Sequence, residues 1–396
     1  MHGFATRMVL LATALVTFVL VLNAGQALAT HVGCGDIITQ NTTLDSDLID
    51  CPRHGIVIGA DNITLDLNGH TIDGDDSLFE PCPVDEPCDA GIANSGIRDG
   101  VPVNGEGFSG VTIKNGFVRD FPEEGVFITH TSANRVTDID VAAPNSSSER
   151  AGVILLDCSG CRVDRSSTSR QSGGIVVESS RDVEVANNNM HDNEFLGLIV
   201  LRSQDVRVTG NAVSDNGDGI VLVDASDNNV VANNSVARDG AGVVIESSSN
   251  NEVRENSLHD NFFVGVVVVA GDDNRITGNS IFRNGDGFEG GIHVASNDRG
   301  DGSHRTVVSA NTLGQNRGDG ILVDRGQIGT VIDGNRSDRN SDDGIDVDHP
   351  ATTLRKNTAN KNGDLGVEAV AGVKDGGGNT ARGNGNPLQC LNVECK

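Results

Sequence analysis

Four carboxylates near the C-terminus, Asp324, Asp346, Asp348 and Glu368, stand two or four residues after glycines that recur every 22 to 24 residues, and His293 stands two residues after an earlier one. If those glycines open stacked strands, the side chains gather on rungs about 4.8 Å apart. Crowded carboxylates raise one another's proton affinity or hold a hard cation such as calcium. The expected chemistry is therefore an acid/base group drawn from His293, Asp324, Asp346 and Asp348, or a calcium pocket of Asp324, Asp346, Asp348 and Glu368. The bland alternative is a solvated acidic end of a repetitive rod. Two longer spacings late in the chain add the loops "NGDGFEG" and "SNDRGDGSHR", which should carry Glu289, Asp298, Asp301, His304 and Arg305 towards the same end.

The elements that must hold these groups are legible as a repeat. A Gly followed by an apolar strand occurs at residues 125, 152, 174, 197, 219, 242, 265, 291, 320, 344 and 366, with a modal interval of 22 to 23. A fixed period of that size signals a solenoid. The positions one and three after each Gly, from Val126 and Ile128 to Val367 and Ala369, are all apolar, so they predict the core face. The position between them predicts an outer column: Phe127, Ile154, Val176, Ile199, Val221, Val244, Val267, His293, Leu322, Asp346, Glu368. Contiguous exposed Val and Ile would mark a surface for a partner, a covering segment or a homo-oligomer.

A second register places Asn at 188, 211, 234, 256, 279, 311, 335 and 357, with an apolar residue three before each and Asn or Asp five after. Asn tolerates a left-handed corner, and stacked Asn side chains can bond from rung to rung.

Short strands with Gly and Asn corners, without helical period or Leu pattern, predict an all-β parallel solenoid. In these repeats the chain resembles the pectate-lyase-like superfamily of secreted right-handed parallel β-helices, over roughly residues 33 to 388. That resemblance implies the fold and leaves function open. A single β-helix domain over residues 30–396 is expected. Residues 30–54 and 389–396 are read as end caps, and residues 75–104, with Cys82 and Cys88, as a stapled loop lacking strand periodicity.

The rest of the chain bounds the setting. Arg7, the apolar run from Met8 to Leu22 and Ala27-Leu28-Ala29 read as a signal peptide over residues 1–29. No later segment predicts a membrane span in the mature chain. The eight cysteines fall into neighbouring pairs, which suits a secreted or periplasmic protein with local disulfides. A net charge of -27 argues against nucleic acid as a partner.

Two functions follow. One is a cell-surface, matrix or glycan-binding module, whose partners are polysaccharide or cell-surface components. The other is a polysaccharide lyase, hydrolase or epimerase with a calcium-dependent acidic site on the late coils. The absence of Trp and Tyr weighs against sugar subsites built on those rings. A copper-handling periplasmic β-helix of the nitrous-oxide-reductase maturation type ranks third, because three Met and scattered His form no soft-donor cluster.

Overall fold

A computed structural model describes residues 31–77, 89–98, 101–103, 105–143, 151–285, 287, 289–297 and 299–396. The expected signal peptide and the Cys82–Cys88 pair lie outside these residues.

Each turn of the chain contributes one strand to a parallel sheet of 14 strands, which runs from Asp36–Ile38 to Val367–Ala369. Two shorter strands per turn, such as Val230–Ala232 and Ser235–Ala237 after Asp218–Val223, build the other faces. This is a right-handed parallel β-helix of about 14 coils, and the described residues contain no helix. None is therefore long and apolar enough to cross a membrane.

The strand alternation acts as predicted. Ile220 and Leu222 stand beside Val243 and Ile245 in register, and all four are fully buried. Val208, Val231, Val253 and Ile276 form a second buried stack, and Val213, Val236, Leu258 and Ile281 a third. Three stacks facing one axis give a continuous core that no single coil could bury alone.

The corners work differently from the expectation. The ladder asparagines are not themselves left-handed; the residue before each is, as at Asn187 (φ 57°), Asn233 (φ 58°) and Glu255 (φ 56°). That turn aims the following Asn inward along the axis. Asn256 Oδ1 accepts the backbone N–H and the Nδ2 of Asn234 at 2.9 and 3.0 Å, while its own Nδ2 donates to Val231 O and Asn279 Oδ1.

Nor does the recurring Gly supply an unusual φ. It is required by crowding: a Cβ on Gly219 would lie 2.5 Å from Gly242 O, and one on Gly265 would lie 2.7 Å from Gly291 O.

One rung of the second ladder carries Asp239 in place of Asn. It accepts Asn216 N and Nδ2 at 2.8 and 2.9 Å, but its Oδ2 has no partner. Burial pushes its pKa up to about 7, against the hydrogen bonds from Asn216. Because the folded value lies above the unfolded one, the penalty is absent below the unfolded pKa and grows as pH rises through about 7. Asp239→Asn is therefore expected to stabilise the protein by about 2–4 kcal/mol near pH 8 and by almost nothing near pH 4. Urea titrations at the two pH values check this; an equal effect at both would contradict it.

The N-terminal segment and the loop differ from expectation, because both contribute strands to the coil. Asp36–Ile38, Thr42–Thr43 and Leu48–Cys51 already form the first rung, paired with Ile56–Ile58, Thr64–Asp66 and Thr71–Gly74. Within residues 75–104, Ile92–Asn94 is a strand of the long sheet between Ile56–Ile58 and Val126–Ser132. Three residues are too few to show a period, although Gly91 before them is crowded against Gly125 O like the other column glycines. At the far end Cys390 bridges to Val367 and Cys395 to Asn379, covering the last rung. Disulfides join Cys34–Cys51, Cys158–Cys161 and Cys390–Cys395, as the spacing suggested.

Candidate functional site

Strand register places Val267, His293, Leu322, Asp346 and Glu368 side by side on the outer face of the long sheet, in the predicted order. Although its strand position faces outward, His293 is only 6% exposed. Its Nε2 lies 3.0 Å from Asp324 Oδ2. Its Nδ1 lies 3.3 Å from Glu289 Oε1, within ion-pair range but off the hydrogen-bond direction. Burial alone would lower its pKa; the two carboxylates outweigh that and hold it at about 9. The two carboxylates of Glu289 and Asp324 clamp His293 and favour its imidazolium form.

A second group gathers around Glu368. Asp319 and Asp343 directly precede Gly320 and Gly344, so they stack at the start of the strands. Asp343 N donates to Asp319 Oδ1 at 2.8 Å, and Leu365 N donates to Asp343 Oδ1 at 2.5 Å. Carboxylate oxygens of Asp319, Asp342 and Asp343 lie within 4.8 Å of one another, as do those of Asp343, Asp364 and Glu368. Burial, opposed by the Asp343 N–H and reinforced by neighbouring acids, raises Asp319 to about 6. Burial and the charges of Asp319, Asp348, Glu368 and Asp342 raise Asp346 to about 7. Asp343 is raised as well, by burial first and then by its acidic neighbours. Burial and mutual repulsion thus favour protonated forms within this group, whose members titrate together.

The structure divides the expected site. Asp324 belongs to His293, and Asp348 stands 3.9 Å from Arg325, a surface pair of little energetic weight. Of the four expected calcium ligands, Glu368 alone lies in a group with mutually close oxygens; Asp346 is coupled to that group by charge. Asp319, Asp342, Asp343 and Asp364 were not singled out from sequence, although an Asp directly before the strand glycine recurs at 319 and 343. Of the loop residues, Glu289 joins His293. Asp301 bonds back to Asn297, and Arg305 is held by Asp272 and Asp273. Asp298 lies outside the described residues.

The other half of the outer column is apolar. Phe127 and Val221 are buried, while Ile154, Val176, Ile199, Val244 and Val267 are half-buried. In the segments that lead into the Leu196–Leu201 and Val264–Val269 strands, Phe195, Phe262 and Phe263 are 59%, 58% and 48% exposed. The last two rings meet edge to face with centroids 4.7 Å apart, and Phe262 lines a corner cavity with Arg238, Asp260 and Arg283.

Comparison with known proteins decides the family. A family described as periplasmic copper-binding protein (NosD) matches over residues 91–288 and 264–385. This protein belongs to the NosD family. The family is the one that sequence alone ranked last, for want of soft donors. Its periplasmic description and the paired cysteines place the protein in the secreted or periplasmic compartment. Among solved structures, a double mutant of the periplasmic alginate epimerase AlgG is similar at 12% identity and a TM-score of 0.50, covering 89% of this chain and 79% of that one. The tailspike protein of E. coli bacteriophage HK620, in complex with hexasaccharide, is similar at 14% identity and a TM-score of 0.48, covering 92% and 71%. At these identities the likeness concerns the fold. No curated protein matches the sequence.

Proposed function

We propose that this NosD-family protein is a periplasmic glycan-binding β-helix whose contact surface is the outer face of the long sheet. One observation carries the reading. From Ile154 to Val267 the outer column holds no titratable group and is half-buried on most rungs, and the exposed Phe195, Phe262 and Phe263 stand two or three residues before the glycines of the Leu196–Leu201 and Val264–Val269 strands of the same sheet. Pyranose rings present flat C–H faces, and a flat apolar surface with aromatic edges is what such faces pack against. The alginate epimerase of similar fold agrees with a saccharide partner.

Phe262→Ala/Phe263→Ala is expected to weaken binding to a panel of neutral and acidic polysaccharides by at least about tenfold. Affinity electrophoresis at matched protein stability reads this. Unchanged binding would sink the proposal. Loss of a concentration-dependent dimer in the variant, with no glycan retained by the parent protein, would instead assign the face to a second copy of the chain.

The copper named in the family description does not fit the clustered donors. Both close groups are carboxylates only, and among the described residues no group of three or more ligand atoms within 4.8 Å of one another includes His or Cys. Oxygen donors of this kind suit a hard cation, so calcium remains the ion this reading assigns to Asp343, Asp364 and Glu368. Because Asp343 holds a proton more tightly than usual, binding there would release it and strengthen with rising pH.

A second reading, a polysaccharide-active enzyme, is favoured by Asp346. Held near 7 in the outer column two rungs beyond His293, it could give or take a proton at neutral pH.

A further inference from the structure

At the corner between the third strand of each turn and the long sheet, as between Arg336–Asp338 and Ile345–Val347, the residue before the second Asn ladder exposes one side chain per rung. Through the middle coils these corner residues cancel in pairs. Arg238 holds Asp215 by two bonds of 2.8 and 2.6 Å, and Arg283 holds Asp260 by two of 2.7 and 2.8 Å. In the last coils the alternation stops: the column reads Gln315, Arg339, Lys361 and Gly383, with two cations on adjacent rungs.

The adjoining strands add two more cations, Arg336 and Arg382, on either side of the Thr358 strand. Together with Asp338 and Asn360, these four line a cavity of about 260 Å³. Asp338 is the only carboxylate in the lining, and it is already engaged: Arg336 Nη2 lies 2.5 Å from its Oδ2, and Asn360 N donates to its Oδ1 at 2.9 Å. Arg339, Lys361 and Arg382 make no ion pair among the described residues. A protein of net charge -27 thus turns three uncompensated cations towards one concavity, where like charges on neighbouring rungs repel unless an anion lies between them.

We propose that this cavity binds a dianionic oxyanion of the phosphate class, free or carried on a saccharide. Arginine forks match the oxygens of such a group, and Lys361 adds a point charge. Three unpaired cations favour a dianion over a single carboxylate, and the volume admits a sugar phosphate.

Calorimetric titration of the mature protein with inorganic phosphate at low ionic strength tests this. One-to-one binding is expected, weakened at least about tenfold in Arg339→Gln/Lys361→Gln and in Arg382→Gln, with unfolding temperatures unchanged. Glucose 1-phosphate, titrated in parallel, separates the sources: tighter binding than phosphate assigns a saccharide-borne group, and weaker binding assigns the free ion. Acetate binding as tightly as phosphate, no saturation by about 10 mM phosphate, or full binding in both variants would overturn the proposal. The Phe262→Ala/Phe263→Ala protein should bind phosphate normally, so this site and the sheet face fail independently.

Discussion

Asn256→Ala is expected to lower stability by about 3–5 kcal/mol, a large share of what a domain has. The substitution removes two donors and one acceptor at the centre of the ladder. Asn234 loses the oxygen that takes both its backbone N–H and its Nδ2, and the Val231 carbonyl and Asn279 Oδ1 each lose a donor. These groups are buried, Asn234 and Asn256 being 2% and 1% exposed, so water does not replace the missing partners without opening the coil. Urea unfolding followed by circular dichroism reads the change as a lower midpoint. A loss under about 1 kcal/mol would mean that the ladders merely occupy the corners.

Gly242→Ala should be at least as damaging, by about 3 kcal/mol or more, for a reason that has nothing to do with backbone freedom. Its φ is not left-handed; the added methyl would meet Gly265 O at 2.5 Å and Asn261 Nδ2 at 2.8 Å, both in the interior. Gly160→Ala is the contrasting case. Gly160 has φ +66° with open space around its Cβ position, so only the left-handed penalty of about 1–2 kcal/mol applies. Thermal unfolding of the two variants side by side distinguishes crowding from φ strain. Equal losses would reject the account of the glycine column.

These two cases show what the sequence could and could not carry. Period and alternation sufficed for the coil, because the core face repeats without exception from Val126 to Ala369 and register follows from it. Three-residue strands such as Ile92–Asn94 are too short to declare themselves, and the first rung, Asp36–Ile38 to Leu48–Cys51, hid in the cysteine-bounded segment read as a cap. The left-handed corners were assigned one residue late, since Asn is the visible signal while its predecessor, whether Asn187, Glu255 or Lys356, has no common type. A further ladder of Ser180, Ser203, Ser226 and Ser248, bonded N–H to Oγ from rung to rung, was concealed by ordinary residues at modest spacing.

For the site, the outer column was read correctly as far as the backbone determines it. Side-chain pairing was not legible: Asp324 turns to His293, and the acids that crowd Glu368 sit at the strand entrances, outside the column that the alternation defines.

The most direct test of the central claim is to incubate the mature protein with each polysaccharide that it retains, with and without calcium, and to measure both bound fraction and chain length. The account predicts saturable binding with every glycan recovered at its original length and without unsaturated or new reducing ends. Shortened, unsaturated or epimerised product, lost in Asp346→Asn, would contradict a binding module and place an enzyme at the acidic end of the sheet.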